Sequence, residues 1–143
     1  MGNLTDWNQR FIDLANHVSQ WSKDPSTKVG AVIVNNRHQV LGMGYNGFPR
    51  GVHDCAERYN TRSIKLLFVA HAERNALDNA FGDVEGATLY STLFPCTDCA
   101  KGIIQRGIKT VVTHQPSEEK VQLFHLGTSK VMFEEASVEL VMI

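Results

Sequence analysis

Between residues 5 and 22 apolar side chains recur at helical spacing: Trp7, Phe11, Leu14, Ala15, Val18 and Trp21 share one face. This predicts an amphipathic helix, with Thr5 as its cap. The period then changes. Residues 28–34 are apolar and β-branched, Asn35, Asn36 and Arg37 form a turn signal, and residues 39–45 make a second apolar stretch. Two strands joined by so short a turn predict a β-hairpin. From Asn46 to about Arg62 the chain is rich in Gly, Pro, Asn and Asp. A loop of that length is usually functional or mobile.

Residues 69–81 read as a second helix, with Ala72, Ala76 and Ala80 on one face. Residues 87–91 read as a strand, Leu93, Phe94 and Pro95 as a turn, and residues 97–106 as a third helix with Gly107 as its C-cap. Another apolar strand follows at 109–113, then a mostly helical stretch at 117–136 with a break at Gly127, and a last strand at 138–142. The order is α-β-β-α-β-α-β-α-β. Alternation after the hairpin implies parallel crossovers, with helices on both faces of the sheet. The expected fold is a three-layer α/β/α sandwich with a mixed sheet of about five strands. No repeat or linker divides residues 1–143, so a single domain is expected.

Composition narrows the function. Hydrophobic residues make up 43% and charged residues 20%, which is globular rather than disordered. The longest apolar runs, such as residues 31–34, are far too short to cross a bilayer, and residues 1–6 lack the regions of a signal peptide. No membrane association is expected. A net charge of −1 removes the simplest argument for a nucleic-acid partner. Three cysteines is an odd number, and two of them form a C-x-x-C. That pattern fits a reducing, cytoplasmic compartment and a metal or redox site better than a disulfide framework.

Two segments carry the chemistry: His71-Ala72-Glu73 and Pro95-Cys96-Thr97-Asp98-Cys99. Each opens a predicted helix. Residues two apart on a helix point roughly 200° from each other, so His71 and Glu73 converge only on a site beyond the helix start. Cys96 and Cys99 share a face, and the free N–H groups of a helix start favour thiolate. One His and two Cys make three protein ligands. Structural zinc normally has four, whereas catalytic zinc leaves one position to water. Glu73 stands where a proton carrier for that water is needed. Alone, the C-x-x-C reads equally as redox, structural or catalytic, and the H-x-E says almost nothing. The thioredoxin-like pattern that a redox role would need is absent. Together, H-x-E and P-C-x-x-C are the signature of zinc nucleobase deaminases.

At these residues the sequence resembles the cytidine deaminase-like superfamily, and within it the deoxycytidylate (dCMP) deaminases. Gly44-Tyr45-Asn46-Gly47-Phe48-Pro49-Arg50-Gly51 resembles their G-Y-N-G-x-P segment. Ser22 through Gly30 resembles the segment before their first strand, and Thr92 through Gln105 their zinc-helix segment. A compact phage or bacterial form is expected. The resemblance implies hydrolysis of dCMP to dUMP and ammonia, with zinc on His71, Cys96 and Cys99. Glu73 would carry the water proton to N3 and then to the departing ammonia. It further implies that Asn46 contacts the deoxyribose and that Lys23, Ser26 and Thr27 lie near the phosphate. An Asn-Gly turn at Asn46 and a solvated lysine at Lys23 are the plainer readings.

Many members of that family are activated by dCTP with Mg²⁺ and inhibited by dTTP, and they are usually hexamers. The resemblance places such an effector at Gly44, Tyr45, Gly47, Arg50, Gly51 and Asn75. Arg58, Tyr59 and Lys65 are candidates for a subunit interface, with a solvated face as the plainer alternative. The sequence departs from the family after the fourth strand, where Val112-Thr113-His114-Gln115-Pro116 has no base-side tyrosine and His114 is the candidate substitute. Cys55 reads as a loop hydrophobe or free thiol rather than a ligand of a second zinc. The competing functions are a tRNA adenosine deaminase, a free nucleoside or guanine deaminase, and a zinc-stabilised binding module without activity.

Overall fold

The computed structural model describes residues 6–143. Thr5, the expected cap of the first helix, lies outside the described residues. Asp6 caps that helix instead, its side chain accepting from the Gln9 N–H at 3.1 Å. Helix α1 spans Trp7–Ser19. It stops short of Ser22 because the amides of Gln20, Trp21 and Ser22 bond to carbonyls three residues back, which tightens the last turn.

Strands β1 (Gly30–Val34) and β2 (Val40–Tyr45) form the expected hairpin. The following stretch is not all loop: α2 covers Ala56–Asn60 and α3 covers Arg62–Phe68. Helix α4 spans Ala72–Asn79. It starts later than the apolar pattern suggested because Ala70 is extended and pairs with Gly47 in an isolated bridge. Then come β3 (Thr88–Ser91), α5 (Thr97–Gln105), β4 (Thr110–Thr113), α6 (Glu118–Leu123), α7 (Leu126–Glu135) and β5 (Glu139–Met142). The break in the last helical stretch falls at His125, which has a φ of 53°, and Gly127 sits inside α7.

The five strands form one sheet in the order β2-β1-β3-β4-β5. β1 is antiparallel to both of its neighbours, while β3, β4 and β5 run parallel. β2 and β3 therefore point the same way with β1 between them, and α4 crosses over that gap. All five residues of β1 are buried, as expected for a strand covered on both faces. Its side chains alternate. Val32 and Val34 pack with Phe11, Ile12 and Ala15 of α1, while Ala31 and Ile33 pack with Ala72, Ala76 and Leu77 of α4. Ile103 of α5 and Phe133 of α7 complete that second layer. This is the predicted three-layer α/β/α arrangement on a mixed five-stranded sheet.

Close approach fixes α4 on the sheet. A Cβ at Gly44 would lie 2.3 Å from the Ala76 nitrogen and 2.6 Å from the Ala72 oxygen. Only a residue without a side chain lets the helix lie this near β2. The same holds on the opposite face, where a Cβ at Gly30 would lie 2.0 Å from the Ala15 oxygen.

Candidate active site

Two helix starts meet at the edge of the sheet. His71 is the N-cap of α4, Cys96 is the N-cap of α5, and Cys99 is its third residue. The bridge between Gly47 and Ala70 holds the backbone just before His71: Gly47 N–H donates to Ala70 at 3.1 Å and Ala70 N–H donates back at 2.8 Å. The turn carrying Cys96 is shaped by Ser91, whose hydroxyl donates to the Leu93 carbonyl at 2.8 Å. Neither His71 nor Cys96 uses its side chain as a helix cap. Both are left free to converge beyond the helix ends, as their spacing requires.

The ligand atoms of His71, Cys96 and Cys99 all lie within 4.8 Å of one another. His71 Nδ1 is 3.3 Å from Cys99 Sγ and 3.4 Å from Cys96 Sγ. Zinc bonded tetrahedrally to imidazole nitrogen and thiolate sulfur sets these edges at about 3.5 Å. The donor set and its spacing therefore fit zinc, with Nδ1 as the histidine ligand. The thiol pair is already polarised. Cys96 is pulled down to about 4, above all by its hydrogen bond with Cys99, which outweighs burial, and then by His71. Cys99 is pushed up by its hydrogen bond to Cys96, and burial adds to this. His71 is raised by its hydrogen bond to Cys96, against burial.

Glu73, the second residue of α4, is buried beside this group. Burial pushes its carboxyl above the usual carboxylate range, partly opposed by Cys99 and His71. A carboxyl whose protonated form is favoured by burial is suited to accept and pass on a proton.

A cavity of about 220 Å³ opens over these residues, with His71, Glu73 and Cys96 in its lining. Ser26, Thr27 and Asn46 line it too. The Asn46 side chain is held on both ends: Oδ1 accepts from the Val29 N–H at 2.8 Å, and Nδ2 donates to the Thr27 carbonyl at 2.9 Å and to Asp24 at 3.4 Å. Lys23 is not part of this lining. It points to solvent and pairs with Asp54.

The residues expected at an effector site stand apart from the cavity, around the end of β2 and the outer side of α4. Gly44 is buried against α4, where a Cβ would have no room. Tyr45 meets Trp21 edge-on, Gly47 forms the bridge to Ala70, and Gly51 makes an open turn with φ of 81°. Arg50 donates to Asn79 at 2.6 Å, and Asn75 donates to the Tyr45 carbonyl at 2.8 Å.

Sequence reasoning missed a second set of cavity residues. Asp24 and Lys65 line it as a buried ion pair. Lys65 is thus neither a solvated residue nor an interface contact. The signal was there in inverse form: Lys65 sits in an otherwise apolar helix turn, yet Leu66 and Leu67 are the exposed residues. Tyr59, the other such candidate, is buried and stacks on Phe48 at 4.1 Å, whereas Arg58 lies over the Phe68 ring. Lys120, Phe124 and Leu126 also reach the cavity, from the helical stretch at 117–136. His114 does not line it; its Nδ1 lies 3.1 Å from the Ile143 carbonyl.

Residues 5–115 match the family model described as the cytidine and deoxycytidylate deaminase zinc-binding region. The chain belongs to this deaminase family. The matched region contains all three ligands and Glu73. Within the family, the chain is 45% identical over 115 residues to the mouse deoxycytidylate deaminase, covering 75% of this chain and 64% of the mouse protein. It is 41% identical over 138 residues to an uncharacterized deaminase from the luxG 3′ region of Aliivibrio fischeri, covering 95% and 92% of the two chains. The dCMP deaminase of cyanophage S-TIM5, solved in complex with dCMP and dUMP, superposes with a TM-score of 0.75 at 28% identity, over 94% of this chain and 95% of that one. The match covers 64% of the mouse protein but 92% of the Aliivibrio fischeri protein and 95% of the cyanophage one.

Proposed function

We propose that this deaminase hydrolyses dCMP to dUMP and ammonia. The observation that carries the reading is the placement of Glu73 beside a three-ligand zinc set, in a cavity that also holds Ser26, Thr27 and Asn46. The likeness to the mouse and cyanophage dCMP deaminases supports the choice of base and sugar. Zinc on His71, Cys96 and Cys99 supplies Lewis-acid activation of a water.

The rest is done by the chain's own residues. Water forms a bond to C4 of the cytosine while Glu73 takes its proton and passes it to N3. Glu73 then takes the remaining proton from the new C4 hydroxyl and delivers it to the amino nitrogen, and the C4–N bond breaks to release ammonia. The carbonyl at C4 and the proton on N3 make uracil, so atoms balance with no other reactant. Asn46 fixes the sugar. Its Oδ1 has one lone pair on Val29, which leaves the second to accept from a deoxyribose hydroxyl.

Regulation by dCTP with Mg²⁺ and by dTTP, at the Gly44–Gly51 segment and Asn75, belongs to the same reading. So do a hexameric state and a cytoplasmic location. These rest on the family resemblance. Among the described residues no helix is long and apolar enough to cross a membrane.

The test is turnover of dCMP by the zinc-loaded protein, followed by ammonia release and the shift from cytosine to uracil absorbance. Adding dCTP-Mg²⁺ or dTTP changes the dCMP saturation curve if the effector site is retained. Deamination of an anticodon stem-loop with no action on dCMP would overturn the substrate assignment.

A further inference from the structure

The cavity holds more positive charge than the chemistry at its metal end uses. Asp24 and Lys65 neutralise each other across 3.1 Å. Two further cations line the same cavity: Arg62, the first residue of α3, and Lys120 of α6. Neither forms an ion pair among the described residues. Like charges facing one cavity of about 220 Å³ repel each other. An anion placed between them turns that repulsion into two charge-assisted contacts. Arg62 offers a planar fork suited to two phosphate oxygens, and Lys120 a mobile point charge. Lys23, expected near a phosphate from the sequence, is instead paired with Asp54 outside the cavity.

We propose that Arg62 and Lys120 bind the 5′-phosphate of the substrate and make the site select a nucleoside monophosphate over the free nucleoside. This rests on the reading of the chain as a deaminase of a deoxycytidine nucleotide. The placement of Lys120 also gives the α6 segment a role, since Phe124 and Leu126 bring it against the cavity.

The experiment compares zinc-loaded wild type with Arg62→Gln and Lys120→Gln, and with the charge-retaining Arg62→Lys and Lys120→Arg. Substrates are dCMP and deoxycytidine, and bound zinc is quantified in every sample. Each Gln variant is expected to raise KM for dCMP about tenfold or more, as loss of a charged contact does. The kcat stays within about threefold, because neither residue touches the reacting atoms. The ratio of kcat/KM for dCMP to that for deoxycytidine falls accordingly, and the charge-retaining variants recover part of it. An unchanged KM for dCMP in both Gln variants, or an equal fall for both substrates, overturns the proposal. Wild type that carries zinc yet leaves dCMP untouched overturns the parent reading instead.

Discussion

Lys65 Nζ lies 3.1 Å from Asp24 Oδ1, and both side chains are only 6% exposed. This pair pins the segment before β1 to α3. Asp24 Oδ1 also accepts from the Ser26 N–H at 2.8 Å and the Thr27 N–H at 3.3 Å, so one carboxylate shapes the wall of the cavity. Removing one partner of a buried pair strands the other charge, which costs about 3–5 kcal/mol. Asp24→Asn is therefore expected to destabilise by about 3 kcal/mol or more in urea unfolding. The double variant Asp24→Asn/Lys65→Met recovers much of the loss because no charge is left stranded. Equal stability of the single and double variants would show that the charge is not what matters.

The same carboxylate sets an acid limit. Burial works to raise its pKa, but the Ser26 amide, Lys65 and the Thr27 amide outweigh it and hold it below the ordinary 3.8. A group with a depressed folded pKa contributes stability above its unfolded pKa, and that contribution is lost as pH falls through the folded value. Unfolding free energy is expected to drop below about pH 4 in wild type. The drop is shallower in Asp24→Asn, as measured by urea titrations between pH 3 and 6.

Glu73→Gln keeps the shape of the side chain and removes its ability to carry a proton. Loss of a positioned acid–base group lowers kcat by about 10²–10⁴-fold. Zinc content is expected to stay at the wild-type level, since Glu73 is not among the clustered ligands. Turnover within a few-fold of wild type would remove Glu73 from the mechanism.

The sheet layers and the chemical site were legible for different reasons. The apolar run of β1 reflects burial on both faces, and the spacing of Phe11, Ala15 and Val18 reflects burial on one, and a local pattern records both. His71, Glu73, Cys96 and Cys99 were legible because zinc chemistry fixes residue types and spacing. What was hidden depends on contacts distant in sequence. Lys65 is buried only because Asp24, 41 residues away, lies opposite. Lys120 and Phe124 line the cavity from a part of the chain far in sequence from the zinc ligands, next to a left-handed residue, His125, that no composition rule marks. Gly44 suggested a phosphate loop, yet its lack of a side chain serves the contact with α4.

Gly127 separates these effects in one experiment. It is helical, and a Cβ there would meet nothing within 4 Å. Gly127→Ala is expected to stabilise by about 0.5 kcal/mol, since alanine loses less backbone freedom on folding. Gly44→Ala is expected to destabilise by about 1–3 kcal/mol or more, because the helix backbone must move away. Thermal unfolding of the two variants checks both signs.

Chelation of the zinc-loaded protein is expected to abolish turnover, and re-addition of zinc to restore it. Cys96→Ser and Cys99→Ser should each bind less than one zinc per chain, because two ligands from this set do not hold the ion tightly. Full metal content in either variant, read by elemental analysis, would take that sulfur out of the ligand set.

The bridge between Gly47 and Ala70 has a consequence for substrate reach. Gly47 follows Asn46, and Ala70 precedes His71, so two main-chain hydrogen bonds tie the backbone beside Asn46 to the backbone beside His71. The span between them is a gauge built from backbone alone, indifferent to side-chain rotamers. On the proposed reading, a ligand whose sugar and base differ in separation from that gauge loses one anchor whenever it keeps the other.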